Sequence, residues 1–384
     1  MEQLLPYGRA PLRVDLGIRH IEVIRPVALP PPASPASLFD AALAAPIASP
    51  GLAALARPGS RITVIVSDTT RAEPRAELVA AIRSHVGDAR WTLAIATGTH
   101  GPCRVDALGI PRQFLDGVTV INHDGHAAAD LVTIGTTSRG TPVRLHRCVV
   151  ESDLVIATGC IRPHYFAGFG AGIKAIFPGL GEAAAIRSNH RFKTESGARA
   201  GVVDGNPCRA DLEEAVAFVT TPTFLLNGVC GPDNEVHAAV AGDCSVAFRA
   251  GADLARPWFS VRARPASLVI ASDALPVTAS LYQAAKIAAA AAPLVEPGGT
   301  LAIVAECPDG VGPLEIVNEA ILRIGILPRL PAGARLVLVS GLAETVVATT
   351  LVGYASSVES LIDPNLDRVV VIPKASQLLC EPSS

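Results

Sequence analysis

Residues 164–179 read HYFAGFGAGIKAIFPG and set one lysine, Lys174, in a run of small residues, ten positions after His164 and sixteen before His190. Glycines in such a run permit positive φ and close approach of backbone to a ligand, while Phe166, Phe169 and Phe177 offer apolar anchors. A lysine held there loses solvation, so its pKa falls and its amine becomes a nucleophile or a point of covalent attachment. The alternative is a snorkelling surface lysine whose stem lies over apolar neighbours. A Walker A loop is excluded, because it needs Gly-Lys followed by Ser or Thr, and here Ile173 precedes Lys174 and Ala175 follows it. The substring GAGIKA (170–175), which holds Gly170 and Gly172, fits G-x-G-x-x-A. It lies well past its strand instead of on the turn, and no ribose-binding acid follows, which leaves an NAD-dependent 2-hydroxy acid dehydrogenase as an alternative.

Other polar residues collect where predicted strands end. The run RITVIVSD (61–68) finishes in SDTTR, WTLAIATG (91–98) in ATGTHG, and the strand at 153–158 runs into TGCIRPHYFAG. In a parallel sheet these ends share one edge, which brings Asp68, Thr69 and Arg71, then His100, then Arg162 and His164 to the same side. Each has a structural reading as well: Asp68 and Thr69 are good helix caps, and a histidine after a strand is often a hydrogen-bonded structural residue. His20, His85, His123, His126, His146 and His237 lack such company and read as surface or structural.

The elements that must position these residues follow a β–α–β rhythm. A helix is predicted at 74–86 and strands at 118–122 and 131–134, with a hairpin near 141–150. A second series runs through LVIAS (268–272), a helix at 280–292, TLAIVAE (300–306), a helix near 314–323, RLVLVS (335–340) and VVVIP (369–373). The fold class is α/β: two α/β domains with mainly parallel sheets and the active site expected in the interdomain cleft. The domains are read as 1–264, cofactor-binding and catalytic, and 265–373, with the tail 374–384 packing back on the first. The first 25 residues look like a lead-in hairpin, and the proline-rich connector PVALPPPASPA (26–36) excludes helix and central strand.

Composition narrows the function classes. The 384 residues are 49% hydrophobic and 17% charged, without an apolar run long enough to span a bilayer or a basic, apolar leader at the start, so a cytoplasmic protein is expected. A net charge of -3 and the absence of basic runs interleaved with aromatics point away from nucleic acid and toward small-molecule partners. Eight scattered cysteines form no CxxC or CxxH pair, which argues against a zinc knuckle. They read as buried thiols, with Cys103 and Cys160 close enough to the motifs to face a site.

Taken together, SDTTR, GTH, HYFAGFGAGIKAIFPG, His190 and YQAAK (282–286) resemble the nickel-pincer lactate racemase family over nearly the whole chain. The resemblance implies a racemase or epimerase of 2-hydroxy acids, an isomerase working by hydride transfer; beside the dehydrogenase, a non-catalytic protein that holds the cofactor or a hydroxy acid is the other alternative. It implies that Lys174 carries a pyridinium-3,5-bisthiocarboxylic acid mononucleotide nickel cofactor covalently, and that His190 is a protein ligand to the metal. The nickel-pincer nucleotide would need cofactor-biosynthesis proteins as partners. His100 and His164 match the family's two catalytic acid/bases, Arg71 its carboxylate-binding arginine, and Gln283 and Lys286 a polar pair beside Tyr282 that meets substrate. Asp68 matches the acid that orients site and cofactor, and Thr69, Gly170 and Gly172 are expected to contact the cofactor. The chain departs from the family pattern at GFGAG, at Gly101 and at Ala72, which puts the substrate, lactate- or malate-like, in question. Arg162 is a candidate for a second carboxylate, or a surface salt bridge.

Overall fold

The apolar, β-branched runs RITVIVS and LVIATGCI lie side by side at the centre of a six-stranded sheet. In this computed structural model, which describes residues 2–17, 20–363, 366 and 368–383, the sheet comprises β1 (Ser60–Ser67), β2 (Ala89–Ala96), β3 (Thr119–Asn122), β4 (Leu154–Ile161), β5 (Thr223–Cys230) and β6 (Val236–Gly242). Their spatial order is β6-β5-β4-β1-β2-β3, parallel throughout except for the antiparallel pair β5–β6. All eight residues of β4 are buried, as an interior strand covered on both faces requires. The helix Arg75–His85 links β1 to β2 and buries Leu78, Val79 and Ile82 against Ile62, Val64 and Leu93. Because β4, β1 and β2 are adjacent and parallel, their carboxyl ends share one edge, as the sequence predicts.

This sheet belongs to a unit spanning Ala28–Trp258. The other unit combines Met1–Val27 with Phe259–Ser384. Its sheet comprises β7 (Ala266–Ser272), β8 (Val295–Val304), β9 (Arg335–Val339), β10 (Gly353–Tyr354) and β11 (Val369–Ile372), in the order β10-β9-β8-β7-β11, with the segment Ile21–Val23 completing it beyond β11; all neighbours are parallel.

The domain limits read from the sequence are therefore corrected. The lead-in hairpin, Glu2–Leu5 with Leu12–Asp15, forms as expected. It is nonetheless part of the second unit, because Ile21–Val23 bonds to β11 and because Leu5, Val14 and Leu16 share a core with Leu268 and Ile270. The break falls at Phe259, not 264, since Ser260–Ala263 pairs with the tail strand Leu379–Pro382, so the tail stays with the second unit as well. The proline-rich connector ends sooner than expected: Pro35 sits in the first turn of the helix Pro35–Ala44, where its missing N–H costs nothing, and Ser34 caps that helix. The strands β5 and β6 and the helix Val246–Phe259 were not anticipated. Among the described residues no helix is long and apolar enough to cross a membrane.

Candidate active site

The end of β1 is built to hold one carboxylate. Asp68 is buried, with 3% of its surface exposed, and does not cap the helix Arg75–His85, which starts after Pro74. Its Oδ1 accepts the Thr70 amide at 3.0 Å and the Thr70 hydroxyl at 2.5 Å, and its Oδ2 lies 2.7 Å from His100 Nδ1. Burial works to raise the Asp68 pKa, but the bonds from His100 and Thr70 outweigh it and keep the group ionised below the usual carboxylate range. An ionised carboxylate only accepts, so Nδ1 of His100 carries a hydrogen, which in the neutral ring leaves the lone pair on Nε2, the tautomer of a general base. His100 is half-exposed, whereas its orienting partner is sealed.

The turn itself is pinned from beneath. The buried Arg75 guanidinium donates to the carbonyl of Ser67 at 2.8 Å, to that of Arg71 at 2.5 Å, and to that of Asp68. Glu73 accepts the Ser67 hydroxyl and the Cys160 amide, linking β1 to β4. Arg71 and Thr69 are left exposed on this anchored turn. The sequence reading missed Arg75 and Glu73, although both stand within SDTTRAEPRAE.

The glycine-rich loop follows β4. Pro163–His164 pairs with Gly168–Phe169, and Lys174 lies in the single 3-10 turn Gly172–Ala175. Phe166, 3% exposed, is the hub: its ring meets the His164 ring at 4.5 Å, the His190 ring at 4.9 Å and Lys174 Nζ at 5.5 Å. Three of the predicted residues thus gather around one aromatic ring. The loop is held by Asn206, which donates to the Phe166 carbonyl at 2.9 Å, by Arg209 on the Phe169 carbonyl at 3.2 Å, and by Asn227, which accepts the Gly172 amide at 2.8 Å. Asn227 is fully buried, and one asparagine within the apolar strand TFLLNGVC was the signal that could have found it. Ala171 has φ +60°, a strained conformation for a residue with a side chain, three residues before the lysine.

Two glycines are sterically obligatory here. A Cβ at Gly172 would stand 2.5 Å from the Phe248 ring, and one at Gly168, where φ is +74°, would stand 2.1 Å from the Val202 carbonyl oxygen. Gly168→Ala is therefore expected to destabilise the protein by about 3 kcal/mol, from backbone strain plus overpacking, which thermal denaturation of the variant will read.

Electrostatics separates the lysine from an ordinary surface amine. Burial pushes Lys174 down to about 7, with the Arg209 and Arg71 charges adding to it and the Cys208 thiol opposing. The side chain keeps some solvent contact, but protein surrounds the ammonium closely enough for desolvation to dominate. His190, at the end of the helix Ala183–His190, is pushed down to about 4, first by burial and then by Lys174 and Lys193, against a weaker pull from the Ile186 carbonyl. It is neutral near pH 7, and its Nδ1 is buried without a well-formed hydrogen bond among the described residues. A neutral imidazole beside a deprotonated amine is a suitable donor set for a metal-bearing group fixed to the lysine.

Other expectations fare differently. The Arg162 guanidinium is committed to Asn234 Oδ1 at 2.9 Å and the Ala72 carbonyl at 3.2 Å. The dinucleotide reading of GAGIKA finds no strand–turn–helix: a two-residue strand precedes it, and its last four residues form a single 3-10 turn. Cys160 is buried within the core on one face of β4, consistent with packing. His123 and His146 are structural: both are buried and hydrogen-bonded to backbone, and burial lowers the pKa of each. In the second unit, Ser280 caps the helix Leu281–Ala291, and Lys286 Nζ donates to Gln283 Oε1 at 2.6 Å one turn away, beside the exposed Tyr282.

Residues 7–201 match the lactate racemase N-terminal domain family. A lactate racemase from Thermoanaerobacterium thermosaccharolyticum is 31% identical over 80% of this chain and 75% of its own length, and one from Lactiplantibacillus plantarum is 31% identical over 70% and 65%. The structure of the Thermoanaerobacterium thermosaccharolyticum lactate racemase apoprotein superposes with a TM-score of 0.84 at 26% identity, covering 99% of this chain and 100% of that one. A protein from Thermotoga maritima shares the fold at a TM-score of 0.64 and 16% identity, over 86% and 96%.

Proposed function

The chain belongs to the lactate racemase family, and from that premise we propose that it is a racemase or epimerase of a small 2-hydroxy acid, dependent on a nickel-pincer nucleotide. The observation that carries the reading is the gathering of His164, Lys174 and His190 around Phe166. Lys174, with its amine largely deprotonated just above neutral pH, is the attachment point, and His190 the protein ligand to nickel. When bound, such a group supplies a site that takes a hydride from the α-carbon and returns it.

The chain's own residues do the rest. Arg71 holds the substrate carboxylate with its planar fork. His100 and His164 serve the hydroxyl oxygen as acid/bases. Gln283 and Lys286, with Tyr282, are further substrate contacts, and Asp68 orients His100. The engagement of Arg162 by Asn234 and Ala72 favours a lactate-like substrate with one carboxylate over a malate-like one. Eight free cysteines suit a reducing, cytoplasmic setting, where cofactor-biosynthesis proteins would load the enzyme.

The test is to co-produce the chain with a nickel-pincer biosynthetic system and follow enantiopure lactate and malate by chiral chromatography. Racemisation of lactate that exceeds that of malate is expected; loaded protein that leaves every 2-hydroxy acid unchanged would overturn the assignment.

A further inference from the structure

One helix braces both the segment that carries Lys174 and the segment that carries His190. The helix Pro207–Ala217 is capped by Asn206, whose side chain holds the Phe166 carbonyl, and its Arg209 holds the Phe169 carbonyl, so its start fixes the lysine's loop. The next turn serves the histidine. Asp211 Oδ2 accepts the Asn189 side-chain N–H at 2.8 Å, and the same amide nitrogen donates to the Cys208 carbonyl at 3.1 Å. The Cys208 thiol donates back to Asn189 Oδ1 at 3.3 Å. Asn189 stands immediately before His190 in the last turn of its helix. From these contacts we infer that Asn189 and Asp211 are positioning residues, which set the His190 imidazole in its place beside the lysine.

Packing alone does not account for the pair. Asn189 and Asp211 are fully buried, where an amide and a carboxylate are costly unless every polar atom is met, and apolar residues would fill the same space without that cost. Asp211 is met from two further sides, by the Thr137 hydroxyl at 2.6 Å and the Thr141 hydroxyl at 2.8 Å. Those threonines close one turn, with the Thr137 amide on the Thr141 carbonyl at 2.9 Å. Between them, Arg139 lies over the Phe192 ring at 3.8 Å and pairs with Glu195 at 2.7 Å. The chain is thus gripped on both sides of His190, at Asn189 through Asp211 and at Phe192 and Glu195 through Arg139. The histidine needs this support. Its Nδ1 makes no well-formed hydrogen bond among the described residues, so the ring takes its place from its backbone and from Phe166.

The inference takes the metal-ligand role of His190 from the proposed function, but its first test does not. Phe166 supplies an internal reference, since the rings of His190 and His164 both lie against it, at 4.9 Å and 4.5 Å, and only His190 adjoins Asn189. Proton NMR of the unloaded protein, with ring signals assigned through His164→Gln and His190→Gln, is expected to show that in Asn189→Leu the His190 signals lose their Phe166 ring-current shift while those of His164 keep it. Asn189→Ala, which cuts the tie without adding bulk, is expected to give the same pattern and serves if the leucine variant does not fold. Unmoved His190 signals, or equal movement of both rings, overturn the proposal. In loaded protein the adduct mass on Lys174 is expected to persist in these variants, while resistance of the nickel to a competing chelator falls by about 10–100-fold, the usual effect of losing support behind a metal ligand. Nickel held as firmly as in the parent would overturn the role in metal placement. A parent that loads no nickel ends the reading of His190 as a ligand, and the NMR comparison still decides whether the tie places the ring.

Discussion

Lys174→Ala is expected to eliminate covalent loading altogether: intact-mass spectrometry should show the cofactor's added mass on the parent and none on the variant, with nickel content falling in step. The chain has only four lysines, Lys174, Lys193, Lys286 and Lys374, so peptide mapping assigns any adduct without ambiguity. Retention of the adduct on the Lys174→Ala protein would place the attachment elsewhere. The physical basis is the depressed pKa, which also makes a prediction that needs no cofactor. Folding disfavours the charged ammonium, so the unfolded chain binds the proton more tightly between about 7 and the ordinary lysine value of 10.5. The buried lysine therefore costs stability fully at and below pH 7, and the cost fades as pH rises through that window. Lys174→Met should raise the Tm of the unloaded protein at pH 7, with the advantage shrinking toward pH 10. A Tm difference independent of pH would mean that the lysine titrates normally.

Asp68→Asn is expected to lower kcat by a factor of order 10³–10⁴ while leaving the covalent adduct in place, because an amide no longer holds His100 in the base tautomer or stabilises its imidazolium. The same variant carries a stability signature. Asp68 has its folded pKa held down, so its contribution is present above the unfolded carboxylate range and is lost as pH falls through the folded value. Parent and variant Tm should converge in acid and separate toward neutrality. A kcat drop accompanied by loss of the adduct would instead indicate a collapsed site.

Much of this molecule is legible from local pattern. The runs at β1, β2, β4, β7, β8, β9 and β11 are apolar and β-branched with polar residues massed at their ends, and a parallel sheet can only put such ends on one edge. That alone brings Asp68, His100 and His164 to the same side. The strands β5 and β6 escaped because TFLLNGVC interrupts its apolar run with Asn227, whose buried side-chain oxygen accepts the Gly172 amide while its NH₂ donates to the Leu226 carbonyl. The placement of Ile21–Val23 was equally invisible, since three residues of strand have no preference between two sheets until a partner such as β11 is present.

For the site, the sequence by itself determined which chemical groups are available and, through the fixed spacing of His164, Lys174 and His190, that they travel together. Tertiary structure alone decided their states. The Lys174 amine falls to about 7 because distant segments bury it, Phe166 becomes a hub because the helix ending at His190 returns to its ring, and the Nδ1 atoms of His100 and His164 meet the Asp68 carboxylate and the Ala167 N–H only because folding sets those groups there. Solvation and hydrogen-bond direction depend on what surrounds an atom in space, and a linear pattern of residues records only what the atom is.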